Sequence, residues 1–231
     1  HCAPTLLPDL TPSEQVEVTK IYSFLGENRV GRIRPPFRSP HHSVSTSAFL
    51  GGGQGIVYPG ELTLAHRGLL FLDELPEFRR DALEGLREPI QTGQIHLSRI
   101  SSSIRLPASF RLIAALNPCP CGYFKSTNQG CSCSENQIRH YRKKISGPLL
   151  DRFPLYLWME TEQSKQLLPT HKISCSDIRE KIQEIQKQLP SFSKKHLTPD
   201  AEYFFSQSQK FQKVSFRRRQ SLERAAFTLA L

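Results

Sequence analysis

Between Gly68 and Phe78 the chain reads GLLFLDELPEF: four apolar residues, Leu69 to Leu72, followed by two adjacent carboxylates, Asp73 and Glu74. A run this short, apolar at every position and bounded by a glycine and two acids, suits a β-strand covered on both faces. A second run, FRLIAALN over 110–117, reads as another buried strand and ends on the polar Asn117. Strands covered on both faces belong to parallel sheets flanked by helices, so the expected fold class is α/β.

The intervening segments agree with that class. TPSEQVEVTKIYSFL (11–25) predicts a helix, with Thr11 or Ser13 as N-cap, Pro12 in the first turn and Val18, Ile21, Tyr22 and Leu25 on one face. Residues 31–60 are rich in Pro, Ser and Gly and lack a period, which predicts a loop or insertion with one short helix near Ser45 to Leu50. A short helix is expected at 61–66. Another is expected at 79–88, with Pro89 threatening its end. QIHLSRISSSIRLPA (94–108) alternates on both sides of SSS, the pattern of a β-hairpin. A basic helix is expected at 135–146. From about 164 the composition turns to Lys, Gln, Glu and Ser, and helices are expected at 177–189, 198–209 and 215–231.

The acids at the strand end carry the chemistry. Ligands of open α/β sheets gather at the carboxyl ends of strands. A carboxylate there can hold Mg²⁺, and its neighbour can orient an attacking water. Asp73 is the candidate for the first role and Glu74 for the second; the competing reading is a strand that ends in a solvated acidic turn. Asn117, closing the next strand, is a candidate contact for a γ-phosphate or the water, or else a turn-closing residue. Arg152 in SGPLLDRF is a candidate arginine finger, or one half of a surface pair with Asp151. Arg217 in SFRRRQ is a candidate phosphate contact, or part of a solvated basic face with Arg218 and Arg219.

Four blocks in this order, RPPFRSPHHSVSTSAFLGGG, PGELTLAHRGLLFLDELPEF, AALNPCPCGY and ISGPLLDRF, resemble the magnesium-chelatase-like AAA+ ATPases. NPCPCG followed by a second Cys-x-Cys resembles their ComM (YifB) branch in particular. The resemblance implies a partial AAA+ (P-loop NTPase) parallel sheet core with β-hairpin insertions over 1–163, followed by a helical lid domain over 164–231. It matches Asp73 and Glu74 to the Walker B acids, Asn117 to sensor 1, Arg152 to the arginine finger and Arg217 to sensor 2. It implies ATP and Mg²⁺ as cofactors, assembly into a hexameric ring, and single-stranded or branched DNA as partner. The implied activity is ATP-driven branch migration that helps to integrate incoming strands during natural transformation.

One departure bears on that expectation. No G-x-x-x-x-G-K-[ST] occurs in the 231 residues, and GGGQG (51–55) lacks the Lys-Ser or Lys-Thr that a phosphate loop needs. The expectation is a chain that binds ATP poorly and is inactive alone, the C-terminal part of a split or truncated family member. Two rivals are a non-catalytic module that binds DNA or subunits, and a chelatase-type remodeller. The first residue is His1, consistent with a processed chain or a piece of a longer one.

Charge and cysteines narrow the partners. A formal charge of +10 favours an anionic partner such as nucleic acid. RHYRKK (139–144) concentrates part of it, as a nucleic-acid contact or an exposed helix face. No apolar run reaches the roughly eighteen residues of a membrane span. Cys119-Pro-Cys121 and Cys131-Ser-Cys133 supply four thiols, the ligand set of a structural Zn²⁺, with reduced free thiols or disulfides as alternatives. Cysteines grouped this way suit a reducing, cytoplasmic setting better than a secreted scaffold. Cys2 and Cys175 read as plain small residues. The adjacent His41 and His42 are expected to point apart.

Overall fold

Thr11 starts the first helix, α1 (Pro12–Phe24), through a capping box: its hydroxyl accepts from the Glu14 N–H, and the Glu14 carboxylate accepts from the Thr11 N–H. The computed structural model describes residues 3–29, 31, 33–98, 103–126, 129–159 and 174–188. In it α1 buries Val18, Ile21 and Tyr22 beside Leu10 and Ile33, and the Tyr22 hydroxyl donates to the Leu64 carbonyl at 2.8 Å. Leu25 caps the helix and stays at the surface.

The segment 31–60, expected to be a loop or insertion with one short helix, holds that helix and three two-residue strands as well. β1 (Phe37–Arg38) is followed by α2 (Thr46–Leu50), which the Ser45 hydroxyl caps. β2 (Gly51–Gly52) and β3 (Tyr58–Pro59) make a small antiparallel pair, and α3 (Glu61–Leu64) leads to β4 (Leu69–Leu72). The expected helix at 79–88 is two helices, α4 (Arg80–Gly85) and α5 (Arg87–Thr92). Pro89 does not end a helix. It sits in the first turn of α5, where the missing N–H has no intrahelical acceptor to lose.

β5 (Gln94–Ser98) and β6 (Ser103–Pro107) form the expected hairpin, with Ile95 opposite Leu106 and Ser98 opposite Ser103. After it come β7 (Arg111–Ala114), α6 (Glu135–Lys143), α7 (Gly147–Leu150) and α8 (Cys175–Gln188). The helices expected at 198–209 and 215–231 lie outside the described residues, as does most of the expected lid.

β1, β4 and β7 form a parallel sheet with β4 in the middle. Leu70 and Leu72 are fully buried, and their face packs with Phe49, Leu62, Leu83 and Leu149. Each such side chain contributes about 1.5–3 kcal/mol by leaving water. Gly68 permits the entry to β4. A Cβ on it would lie 1.9 Å from the Pro36 carbonyl oxygen, the atom that accepts from the Leu69 N–H at 2.8 Å.

β7 departs from the expectation of a strand buried on both faces. Leu112 and Ala114 pack on the core, but Arg111 and Ile113 are exposed. One face of the strand is therefore covered and the other open, and the strand is also an edge of the described sheet. Leu116 and the run Leu155 to Met159 are exposed too.

A buried histidine braces the entry to β4. The His66 Nδ1 accepts from the Ser109 N–H, and its Nε2 lies 3.0 Å from Glu17 Oε2. Arg67 donates to the same carboxylate from Nε at 2.7 Å. Burial lowers the His66 pKa below its ordinary value of 6.5, against the pull of Glu17. Hydrogen bonds from Arg67 and then His66 hold Glu17 down to about 2.

Candidate functional site

Parallel pairing brings the carboxyl ends of β1, β4 and β7 to one side, so the turns leaving the three strands meet there. Asp73 and Glu74 come directly after β4 and are both exposed. Asp73 Oδ1 accepts from the Glu74 N–H at 2.9 Å. Glu74 is left-handed, with φ 51° and ψ 46°, a conformation that costs a non-glycine residue about 1 kcal/mol or more. It turns the chain so that the Leu75 N–H donates to the Ala115 carbonyl at 3.0 Å, while the Ala115 N–H donates to Leu72 at 2.9 Å. These two bonds lock the acid turn to the end of β7.

Asn117 lies two residues beyond that lock and is exposed. Behind it stands α6. The Tyr141 pKa is raised by burial and then by the Glu77 carboxylate, against a backbone hydrogen bond from Asn117. Lys144 Nζ pairs with Glu77 at 3.0 Å. The acid turn and the strand end therefore share one wall, made by α6 and the residue after it.

His42 is the site residue that sequence reasoning missed. Its Nδ1 lies 3.0 Å from Glu74 Oε2, and its ring meets Phe78 edge-on at 6.4 Å. His41 and His42 do not point apart: their rings lie 4.0 Å apart, because the chain turns there instead of running as a regular element. The only signal in the sequence was position, shortly after a strand too short to recognise.

Arg152 occupies a different setting. Its Nε donates to the Arg87 carbonyl at 2.9 Å, one terminal nitrogen to the Pro148 carbonyl, and the other to Gln91 Oε1 at 3.3 Å. Neither Asp73 nor Glu74 is among these partners. Arg217 lies outside the described residues.

The donors at the strand end, two carboxylates and an amide, are all oxygen, which suits Mg²⁺. They fit the metal half of a nucleotide site. The phosphate half would need backbone N–H groups and a lysine from a glycine-rich loop, a motif the 231 residues do not contain.

The four cysteines converge. Cys119, Cys121, Cys131 and Cys133 place their sulfurs within 4.8 Å of one another, with Cys119 fully buried. Cys119 Sγ is 3.4 Å from Cys121 Sγ and 3.7 Å from Cys131 Sγ, and Cys121 and Cys131 are 3.6 Å apart. None of the four is in a disulfide. The backbone N–H of Tyr123 draws the Cys121 thiol down to about 5, against burial. Cys131 has the Cys133 backbone N–H lowering it, yet burial and the sulfurs of Cys121 and Cys119 push it up to about 12.

α6 carries the basic run. Arg142 spends its charge within the chain, donating to the Pro118 carbonyl at 3.3 Å and lying 4.7 Å over the Phe124 ring. Arg139, His140 and Lys143 are exposed. No helix among the described residues is long and apolar enough to cross a membrane.

Residues 1–167 match a family model described as magnesium chelatase, subunit ChlI. The uncharacterized protein YifB of Escherichia coli K12 is 50% identical over 154 residues, which cover 66% of this chain and 30% of YifB. The uncharacterized protein Rv2897c of Mycobacterium tuberculosis H37Rv is 42% identical over 182 residues, 78% of this chain and 36% of its own length. The competence protein ComM of Haemophilus influenzae is 40% identical over 186 residues, 79% of this chain and 36% of ComM. The chain thus spans about a third of the length of these relatives.

Proposed function

Because the chain belongs to the magnesium-chelatase family, in the branch of YifB and ComM, we propose that it is the hydrolytic portion of an ATP-driven motor acting on DNA. The observation that carries this is the pair of carboxylates at the carboxyl end of the central parallel strand, in a turn whose flanking residues Leu72 and Leu75 are hydrogen-bonded through their backbone to Ala115 at the end of the neighbouring strand. In this reading Asp73 holds Mg²⁺, Glu74 orients the attacking water and Asn117 contacts the γ-phosphate or that water. Bound Mg²⁺ supplies charge neutralisation at the phosphates. His42, paired with Glu74, positions that carboxylate.

Arg152 serves a neighbouring subunit's nucleotide as an arginine finger in a hexameric ring. To do so it must leave the carbonyls of Arg87 and Pro148. Arg217 approaches the phosphates from a helical lid over 164–231. The hairpin of β5 and β6 and the basic charge meet single-stranded or branched DNA. Activity of this kind fits the name of the competence protein, through branch migration that integrates incoming strands in the cytoplasm.

The absence of a phosphate-loop motif from these 231 residues favours a second reading for the chain taken alone: a module that binds DNA or sister subunits without turning over ATP. One experiment separates them. Glu74→Gln is made in a polypeptide that carries these residues together with a phosphate loop, and DNA-stimulated ATP hydrolysis is measured. Loss of a general base lowers turnover by about 10²-fold or more, with ATP-dependent DNA binding kept. Unchanged turnover overturns the role of Glu74. DNA binding with no turnover in the unsubstituted protein supports the module instead.

A further inference from the structure

We propose that Cys119, Cys121, Cys131 and Cys133 form a structural tetrathiolate zinc site that fastens the end of β7 to the start of α6. The geometry is metal-sized. Four sulfurs at about 2.3 Å from a tetrahedral Zn²⁺ stand about 3.8 Å apart, and the separations of 3.4, 3.6 and 3.7 Å among Cys119, Cys121 and Cys131 are close to that value. A disulfide needs sulfurs about 2.05 Å apart, far inside these distances.

Backbone N–H groups converge on the sulfurs. Backbone N–H groups of Tyr123 and Ser132 address Cys121, that of Cys133 addresses Cys131, and that of Cys121 addresses Cys133. Such donors offset the negative charge that four thiolates bring to a divalent ion. Gly122 follows the first Cys-x-Cys with φ 83°, turning the chain so that the next N–H faces back on the sulfurs.

The segment also needs a fastener. Between β7 and α6 the described residues form turns and bends but no helix or strand. Irregular stretches that long are uncommon inside compact domains, and a metal cross-link would give this one a fixed position. The ends of the cluster show what is fastened. Cys119 lies two residues past Asn117, and Cys133 immediately precedes Ser134, the N-cap of α6. Arg142 then ties α6 back to the Pro118 carbonyl. A metal here holds the candidate γ-phosphate contact and the wall behind it in one unit. This inference does not depend on ATP hydrolysis.

The test starts with the unsubstituted protein, purified under reductant and assayed for metal. About one zinc per chain is expected. Exchange for Co²⁺ should give the thiolate charge-transfer and tetrahedral ligand-field bands of a CoS₄ centre. Cys131→Ser with Cys133→Ser should lose the metal, and Cys175→Ser should keep it. Chelation of the unsubstituted protein should speed amide exchange over 115–143 more than in β5 and β6. Four titratable thiols with no zinc after reconstitution, disulfides under reductant, iron in place of zinc, or zinc kept by the double variant each overturn the proposal.

Discussion

His66 is held neutral by its two nitrogens. Nδ1 must accept from the Ser109 N–H, so the proton sits on Nε2, facing Glu17. A second proton would break the first bond inside a buried site. The folded state therefore binds that proton less readily than the unfolded chain, and stability rises with pH across the window below 6.5. Taken in the acid direction, stability falls as pH drops from 6.5 through the depressed His66 value, and falls again between 4.5 and about 2 as Glu17 is protonated. Urea unfolding across this range should show both losses. His66→Gln keeps an acceptor for the Ser109 N–H and cannot charge, so the upper loss should vanish while the lower remains. A persistent upper loss would assign it to another group.

Ser134 caps α6 and closes a capping box with Gln137. Ser134→Ala should cost about 1 kcal/mol in urea unfolding, and the loosened first turn should report at Tyr141. Elements with strong local signals of this kind were legible in the sequence. The N-cap hydroxyl and Pro12 at the start of α1, the glycine and acids around Leu69–Leu72, and the alternation on both sides of the hairpin each encode their element locally. β1 was illegible because two residues carry no period, and its pairing with Leu69 and Leu70 is purely tertiary. The break between α4 and α5 was hidden for a similar reason: Ala82, Leu83 and Leu86 keep helical spacing and are all buried, as they would be on one continuous helix. At the candidate site Asp73, Glu74 and Asn117 were readable from the ends of apolar runs. His42 was not, since only the parallel pairing of β1 brings it to Glu74. Convergence of the cysteines was foreshadowed by spacing, while the partners of Arg142 and Lys144, the Pro118 carbonyl and Glu77, lie off the helix where no helical wheel shows them.

Across the whole molecule the sheet joins parts of the chain that are far apart. Phe37 pairs with Leu69, and Leu69 with Arg111, whereas the hairpin pairs Ile95 with Leu106 across a short tip. Loop closure must precede any reward from the distant pairs, so they form late. In pulse-labelled refolding the amides of the hairpin strands should gain protection before those of Leu70 and Leu112; protection of the sheet first would reverse that order. The open side of β7 then acquires a kinetic meaning. While the sheet is unfinished, Ile113 and Leu116 stand beside unpaired backbone, and a second chain arriving in that interval can dock where a strand belongs. Refolding yield becomes a race between closure and collision, lost progressively as the concentration of chains rises.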